Sequence, residues 1–447
     1  MTVTGPETWC VAGGGMLGQA LALRLQAEGK RVTLIEAAPD LGGLASAWEV
    51  GGVRWDRFYH VILPFDRNTL SLLDDIGLGT DVVWAKSRTG FYARGRMSPL
   101  NGALDYLRLP VLGPVAKARL AWTLMRAARI ADGGPLSRRP VGEWLTERSG
   151  RAAYERLWKP LLRAKLGDNA ERASAAFIWA TIRRLYLARG SGAKTETLGF
   201  VEGGYARVLE ALAGRLRLKG VEIVCDCPIR RVVPVGGGFR VETAKGPMAF
   251  DRVVSTLPSG PTAALCETLS ADIRSRLAGV LYQGIICASV VLNRPLGGNY
   301  LTYLTDPDLP FTAVVEMSAL TETARTGGHT LAYLPRYVTQ DDAFWALSDD
   351  EIRARFVAGL RRIFPDLAEA DIRAVRIARV RHVMAVPTVG YAEVVPPVRT
   401  NVAGFHIVNS SQITDGTLNV DATLGVIDRA LPELLGTPPA AIVRSAA

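Results

Sequence analysis

Apolar and polar positions at the start of the chain follow the order expected for a parallel sheet. A short apolar run at 8–12 leads into three glycines, and residues 16–28 then carry apolar side chains at helical spacing. Gly29 lies where a helix is expected to end, and 31–36 has the pattern of a second buried strand. A strand, a glycine turn, a helix and another strand predict the first half of a doubly wound sheet.

The rest of the chain predicts a largely helical part and then a second sheet. Residues from about 85 to 200 have mostly helical spacing, which is clearest at 176–189. Beyond residue 200 we expect strands at 221–225, 230–235, 239–243, 251–258, 283–293, 329–338 and 404–408, and helices at 350–364 and about 422–435. No linker rich in Gly, Pro or Ser separates these parts. We therefore expect two domains or one large interleaved body.

Composition narrows the class of protein. The chain has 447 residues, of which 48% are hydrophobic and 21% charged, so a disordered or low-complexity protein is excluded. Five cysteines without a CxxC pair argue against a disulfide scaffold and a zinc ribbon, and no metal site is expected. The sequence has no long uncharged apolar stretch and no apolar secretion core after a basic start. We therefore expect a cytoplasmic protein.

The positive charge is concentrated in one region. Residues 101–200 contain 18 Lys and Arg against 8 Asp and Glu, which equals the net charge of +10 for the whole chain. Such an excess suits either an anionic partner, for instance a membrane surface, or a solvated helical face. Nucleic acid is not expected, since no binding motif accompanies the charge. The segment 110–131 can be interpreted in the same two ways. It is either a plain domain helix or an interfacial helix that feeds a lipid substrate inward.

The three glycines form a dinucleotide-binding pattern. Gly13, Gly15 and Gly18 fit G-x-G-x-x-G, and Glu36 ends the following strand 23 residues after Gly13. Gly13 allows a tight turn, Gly15 lets the backbone approach a pyrophosphate, and Gly18 permits close packing of helix on strand. The helix N-terminus favours phosphate binding, and Glu36 would accept hydrogen bonds from ribose hydroxyls.

A second glycine motif extends this pattern. Gly42 and Gly43 follow Glu36 by six and seven residues. With this pair the chain resembles, over nearly its whole length, the FAD enzymes of the amine oxidase, protoporphyrinogen oxidase and phytoene desaturase superfamily. Other similar segments are 53–60, 199–205, 220–223 and 251–258. A second G-x-G-x-x-G unit is absent from the sequence, so we expect no separate NAD(P)H domain.

The resemblance implies FAD as the cofactor and a particular α/β architecture. A Rossmann-type FAD-binding domain, 1–84 with 198–260 and 386–447, would be interleaved with a mixed helical and antiparallel-sheet substrate domain, 85–197 with 261–385. The active site would lie between them. The implied cofactor-binding residues are Gly13, Gly15, Met16, Leu17, Gly18, Glu36, Ala37, Gly42, Gly43, Leu44, Ala45, Ile229, Asn409, Ser410, Leu418, Asn419 and Val420.

The C-terminal part of this site departs from the family pattern. The family strand usually ends in Gly-Asp, whereas this chain has Asn409 and Ser410, which would hydrogen-bond the cofactor without a charge. A helix beginning near 418–422 would direct its amides at the flavin and favour the reduced, anionic ring.

The sequence also narrows the chemistry. Amine oxidases of the superfamily use a late lysine at the flavin, but this chain has no Lys after Lys245. The resemblance therefore favours the protoporphyrinogen oxidase and desaturase side, where a hydrophobic, isoprenoid- or tetrapyrrole-like substrate gives a hydride to flavin in a dry pocket. Candidates to line that pocket as catalytic residues are His60, Tyr59 and Tyr391.

Two alternatives with the same architecture stay open. One is a flavin-dependent mutase resembling UDP-galactopyranose mutase, in which the basic stretch would bind a sugar-nucleotide diphosphate. The other is a flavin-free protein resembling Rab escort and GDP-dissociation inhibitor proteins, which bind prenylated partners. The complete glycine pattern with Glu36 argues against the loss of the cofactor.

Overall fold

The computed structural model describes residues 6–101, 105, 108, 111–188, 196–414 and 417–436. Its strands are β1 (Thr8–Ala12), β2 (Arg31–Ile35), β3 (Ala47–Val50), β4 (Val53–Asp56), β5 (Val82–Lys86), β6 (Thr89–Ala93), β7 (Arg96–Pro99), β8 (Thr197–Val201), β9 (Glu222–Val224), β10 (Ile229–Val235), β11 (Gly238–Thr243), β12 (Gly246–Phe250), β13 (Arg252–Ser255), β14 (Tyr282–Leu292), β15 (Leu301–Leu304), β16 (Ala313–Glu316), β17 (Thr330–Val338), β18 (Ile372–Ala385) and β19 (Phe405–Ile407).

The longer helices are α1 (Met16–Ala27), α2 (Arg67–Asp75), α3 (Pro114–Ala128), α4 (Val141–Ser149), α5 (Lys159–Leu166), α6 (Ala175–Ala188), α7 (Gly204–Leu218), α8 (Ser259–Leu265), α9 (Ala271–Gly279), α10 (Asp349–Ile363) and α11 (Val420–Leu435). Shorter α-helical turns lie at Arg151–Ala153, Ser318–Thr321 and Tyr391–Val394, and a π-helical turn at Tyr154–Trp158 precedes α5. The 3-10 turns are Gly43–Ala45, Gly79–Asp81, Gly134–Arg138, Gly167–Arg172, Thr323–Thr326, Ala343–Ala346, Glu369–Asp371 and Ser410–Gln412.

A parallel sheet is built from the two ends and the middle of the chain. In the described residues its strand order is β19-β13-β1-β2-β9, and every pairing is parallel. Helices α1, α7 and α11 cover one face with a continuous apolar core. The other face packs against the antiparallel sheet β10-β11-β12 and helices α8 and α9. Both faces of the sheet are therefore buried, which explains why most residues of its strands are apolar.

A larger, mostly antiparallel sheet forms the second body, in the order β18-β14-β17-β16-β15-β6-β7. Strand β14, which lies between β18 and β17, is buried along its whole length. Helix α10 begins with a capping box between Ser348 and Glu351 and packs Ile352 and Phe356 on one face. The strands predicted at 283–293 and 329–338 and the helix at 350–364 are confirmed within one residue.

The prediction of mainly helical structure from residue 85 is wrong at 89–99. These residues form the antiparallel pair β6 and β7, joined by a tight turn at Arg94 and Gly95. β6 also pairs in parallel with β15, so its conformation is set by a strand more than 200 residues away. Because β15 is so distant in sequence, the five residues of β6 carry no local pattern from which a strand could be predicted.

Helices α3 to α6 form a separate apolar cluster beside the larger sheet. The helix predicted at 176–189 is present as α6, and residue 189 lies outside the described residues. The chain enters this part through β5 and returns through β8, and these two strands pair antiparallel. The predicted domain boundaries at 84 and 198 fall within these two strands, and the domain division stays a prediction. None of the helices in the described ranges has the length and hydropathy needed to cross a bilayer.

We predict that His406 in β19 makes the parallel sheet sensitive to acid. Its ring is buried and stacks on Trp9 at a centroid distance of 5.9 Å. Burial, helped by Arg252 and Arg399, lowers the pKa of His406 from 6.5 to about 4. The unfolded chain therefore binds one more proton between pH 6.5 and about 4, so stability should fall by about 3 kcal/mol as the pH decreases through this window.

Urea unfolding at pH 7 and pH 4.5 would measure this effect, and the His406→Phe variant should lose less stability than the wild type over the same interval. An equal loss of stability in the two proteins would contradict the assignment of the acid sensitivity to His406.

Candidate functional site

The carboxyl ends of three parallel strands meet at one edge of the sheet. Thr256, just after β13, donates its hydroxyl to the carbonyl oxygens of Ala12 and Gly13 at 2.9 and 3.2 Å. Asn409, two residues after β19, donates its side-chain amide to the carbonyl oxygen of Leu257 at 2.8 Å. The edge joins the N-terminal, middle and C-terminal segments, and ligands of open parallel sheets bind at this edge.

The first glycine turn packs too tightly to accept larger residues. Gly13 has a φ of 111°, and a Cβ there would lie 2.6 Å from the hydroxyl of Thr256. A Cβ at Gly18, in the first turn of α1, would overlap the carbonyl oxygen of Gly13. Gly18 therefore allows the helix to start directly against the end of β1, as its position in the motif predicts.

Gly15 differs from these neighbours because the fold itself does not require a glycine there. Its φ is −67°, a value that any residue adopts, and a Cβ built on it would have no protein atom within 4 Å. The second glycine turn lies alongside, since Gly42 donates its N–H to the carbonyl oxygen of Gly14 at 2.9 Å. Gly43 brackets the same space, where a Cβ would lie 3.3 Å from the Cα of Gly15. The two turns thus form a cradle that a side chain at Gly15 would fill.

The start of α1 supplies hydrogen-bond donors to this cradle. Gly15 is the N-cap and has no side chain to cap the helix, so the first amides, including those of Met16 and Leu17, lack intrahelical acceptors. Both residues are buried and belong to the core beside the parallel sheet, so what they can offer a ligand is their backbone amides. Such an N-terminus attracts a phosphate group.

Glu36 lies at the end of β2, beside the same turn. One carboxylate oxygen accepts the N–H of Gly14 at 2.6 Å, and the other accepts the N–H of Ala38 at 2.8 Å. These bonds fix the carboxylate while leaving further lone pairs for hydroxyl donors. Ala37, directly after it, is exposed.

The remaining predicted cofactor residues occupy several segments of the fold. Leu44 and Ala45 lie in the 3-10 turn after Gly42, and Ile229 begins β10. Asn409 is buried, and its side-chain oxygen accepts hydrogen bonds from the backbone and hydroxyl of Ser411. Its amide is used as well, so this side chain holds the loop together rather than projecting from it. Ser410 is partly exposed.

The C-terminal helix begins as a second amide-rich terminus. Asn419 caps α11 by accepting the N–H of Ala422 at 2.8 Å, and it donates to the carbonyl oxygen of Thr417 at 2.8 Å. The amide of Val420, the first helical residue, has no intrahelical acceptor. Leu418 precedes the cap and contacts the cores of both the parallel sheet and the helical cluster.

A cavity of about 410 Å³ reaches this segment from the helical part. Thr417 and Leu418 form part of its wall, and Tyr59 from the segment after β4 forms another part. Its other lining residues are mostly aliphatic or aromatic and come from α3, α5, α6 and the larger sheet: Phe91, Leu100, Leu120, Leu124, Leu157, Trp158, Leu161, Leu162, Ala164, Lys165, Phe177, Ile178, Thr181, Ile182, Leu301, Tyr303, Thr312, Ala313, Pro335 and Tyr337. The cavity therefore joins the helical cluster to the N-terminus of α11.

A polar group in this apolar wall was missed by the sequence reasoning. Lys165 donates to the hydroxyl of Tyr337 at 2.5 Å, and its ammonium lies 3.8 Å from the centre of that ring. The hydroxyls of Tyr337 and Tyr59 are 2.8 Å apart. Burial lowers the pKa of Lys165 and raises the pKa of Tyr337 to about 12. Lys165 looks like one of many basic residues in a basic helical region, so its sequence context gave no signal.

The structure places the three predicted catalytic residues differently. Tyr59 lines the cavity. His60 is beside it in sequence, but its ring packs on Tyr205 and its Nδ1 lies 3.6 Å from the buried carboxylate of Asp56. Tyr391 lies away from the cavity wall and donates its hydroxyl to the carbonyl oxygen of Ser411 at 2.7 Å. That bond supports the loop after β19.

Comparisons with known proteins identify the family of the chain. A model of the flavin containing amine oxidoreductase family matches residues 18–417. The coproporphyrinogen III oxidase of Mycobacterium tuberculosis (strain ATCC 25618 / H37Rv) is 26% identical, covering 98% of this chain and all of that protein.

Solved structures share the fold. A candidate protoporphyrinogen oxidase from Exiguobacterium sp. 255-15 aligns with a TM-score of 0.76 at 20% identity, over 96% of this chain and 99% of that one. Reduced UDP-galactopyranose mutase aligns with a TM-score of 0.74 at 15% identity, over 97% and 94% of the two chains.

The residues present fit FAD, the cofactor of this family. The cradle at Gly15 and the free amides of α1 suit a pyrophosphate, Glu36 suits a ribose, and the start of α11 suits the electron-rich edge of a flavin. FAD supplies the redox chemistry when it is bound, because its ring accepts a hydride. The cradle, the family match over most of the chain and the shared fold lead to one assignment: the chain is an FAD-dependent oxidoreductase of the flavin containing amine oxidoreductase family.

Proposed function

We propose that this enzyme dehydrogenates a hydrophobic, isoprenoid- or tetrapyrrole-like substrate by hydride transfer to FAD. The observation that carries the proposal is the apolar cavity of about 410 Å³ whose wall includes Thr417 and Leu418, beside the start of α11. A relative named coproporphyrinogen III oxidase, matched over its whole length, favours the tetrapyrrole class.

The chain's own residues would act mainly by positioning. The aliphatic and aromatic wall excludes water and holds an apolar molecule by burial, at about 25 cal/mol for each Å² removed from water. Holding the substrate carbon in one orientation supplies much of the rate enhancement for such a transfer. Tyr59 contributes a hydroxyl within this wall, and burial raises its pKa, so it is a neutral hydrogen-bonding group at neutral pH.

The two alternative functions, a flavin-dependent mutase and a flavin-free prenyl-binding protein, fit the cavity and the cradle less well. A mutase that binds a sugar-nucleotide diphosphate needs several cations, but among the described residues Lys165 is the only Lys or Arg in the cavity wall. A flavin-free prenyl-binding protein would have no reason to keep space open at Gly15, where the fold would tolerate a side chain.

We further propose that α3 contacts a membrane surface. Its outer face exposes Val115, Trp122 and Met125, and Arg126 lies 5.4 Å from the centre of the Trp122 ring. Leu120 and Leu124, on its inner side, line the cavity. Exposed apolar side chains flanked by arginines suit the boundary of an anionic bilayer, and this placement would bring an apolar substrate close to the cavity.

The cradle predicts that one glycine variant loses FAD and that another loses stability. Gly15→Val should leave the protein folded but remove bound FAD, because the new side chain fills the space assigned to the pyrophosphate. Gly18→Ala should lower the melting temperature, because its Cβ overlaps the carbonyl oxygen of Gly13 and this outweighs the helix preference of Ala, about 1 kcal/mol. Flavin absorbance and thermal unfolding measure the two effects. A Gly15→Val protein that purified with full flavin would show the site is misplaced.

The cavity predicts that Ala164→Phe impairs turnover without impairing flavin binding. The larger side chain would occupy part of the cavity and lower kcat/KM by about tenfold. The exposed Ala152→Phe is the matched control and should behave as the wild type. The assay is anaerobic loss of the oxidised-flavin absorbance with coproporphyrinogen III and with phytoene. If neither compound reduced the flavin, the proposed substrate class would be wrong.

The membrane proposal predicts a selective loss of vesicle binding. The double variant Trp122→Ser with Met125→Ser should sediment less with vesicles of anionic phospholipid, while Leu218→Ser, which changes a more exposed apolar residue on α7, should not. Equal sedimentation of all three proteins, or no binding by the wild type, would contradict a contact through α3.

A further inference from the structure

Lys165 lies in the wall of the apolar cavity, and within the part of the chain that the structure describes it has no counter-ion. Among the described residues, no carboxylate lies within ion-pair distance of its ammonium, and none lines the cavity. The titratable groups that face it are the tyrosines of the wall, Tyr59 and Tyr337, with Tyr303 in the same cavity. Tyrosine hydroxyls do not neutralise a positive charge. An ammonium in an apolar wall without an opposite charge is energetically unfavourable.

The orientation of Lys165 is nevertheless fixed. Its ammonium is held by the hydroxyl of Tyr337 and by the face of the same ring, and the Tyr337 hydroxyl is held in turn by Tyr59. An ammonium has three donors, and the hydroxyl of Tyr337 takes one of them. The remaining donors are available to a molecule in the cavity.

We propose that Lys165 binds a carboxylate at one end of the substrate, with Tyr337 and Tyr59 orienting it, so that the substrate is an apolar molecule carrying an acid group. The inference rests on the proposed function, since it identifies the substrate class of the same cavity. The carboxylate supplies the missing counter-charge, and the aliphatic wall takes the apolar remainder.

The number of charges selects a carboxylate over a phosphate or diphosphate. One ammonium balances one carboxylate within the cavity, so the other carboxylates of a substrate such as coproporphyrinogen III would have to lie outside the apolar wall. A phosphate monoester or a diphosphate at the same position would bring further negative charge into a wall that has no second Lys or Arg among the described residues. An excess charge would be as poorly solvated there as the unpaired ammonium is. The cavity should therefore discriminate among anions by their charge.

Binding of saturated probes tests the inference without turnover. Calorimetric titration of the flavin-loaded protein with dodecanoate, dodecanol and dodecyl phosphate should give the tightest binding for dodecanoate, by about tenfold over the alcohol. Lys165→Met should abolish this preference while leaving the affinity for dodecanol within about twofold. Tyr337→Phe should reduce the preference, because the lysine loses its hydroxyl acceptor.

A matched control lies one turn and a half away on the same helix. Lys159 is paired with Glu155 at 3.2 Å on the surface, so Lys159→Met should keep the full preference for dodecanoate. Bound flavin and thermal unfolding confirm that each variant is folded. Equal affinity of the wild type for acid and alcohol, or a preference that survives in Lys165→Met, would overturn the inference.

The pH dependence gives a second readout. Burial holds the pKa of Lys165 below its usual 10.5, and a bound carboxylate would raise it again. Affinity for dodecanoate should therefore fall as the pH rises through this pKa, with the affinity for dodecanol unchanged.

The two proposals fail separately. Flavin reduction without a preference for the acid would refute the carboxylate site alone, and the preference without flavin reduction would refute the proposed function alone.

Discussion

The close contact between the two glycine turns is the constraint on which the site depends. The hydrogen bond from Gly42 to Gly14 holds the second turn against the first, and the absence of a side chain at Gly18 lets α1 begin at the end of β1. These contacts bring the first amides of α1, the carboxylate of Glu36 and the open space at Gly15 to one edge of the parallel sheet. Protein contacts explain the glycines around Gly15, whereas no protein atom requires a glycine at position 15, as expected if a pyrophosphate occupies the space beside it.

The second half of the site comes from a different part of the chain. Asn409 and Asn419 hold the residues after β19 and the start of α11, and Thr417 and Leu418 between them form part of the cavity wall. The rest of the wall is supplied mainly by the helical cluster and the larger sheet. The proposed cofactor site on the parallel sheet and the proposed substrate site in the cavity would therefore share one short segment.

The sequence predicted the parts of this arrangement that depend on local patterns. The glycine motif, Glu36 and the apolar spacing of α1 are short-range features, so the sheet edge and the cofactor could be predicted from them. β6 could not, because it is held by pairing with the distant β15. Lys165 could not be distinguished from its basic neighbours, since its importance comes from Tyr59 and Tyr337, which approach it only in the fold. Tyr391 and His60 were plausible by position, but their packing partners appear only in three dimensions.

The proposed function requires the apolar cavity to reach the flavin at Thr417 and Leu418, which form part of its wall. The most direct test is the absorption spectrum of the bound flavin during titration with dodecanol, a ligand that carries no charge and is not proposed to react. If the cavity ends at the ring, filling it replaces water beside the flavin, and the oxidised-flavin bands should shift with the same saturation curve that calorimetry records. Binding by calorimetry without any change in the flavin spectrum would show that the cavity and the cofactor are separate.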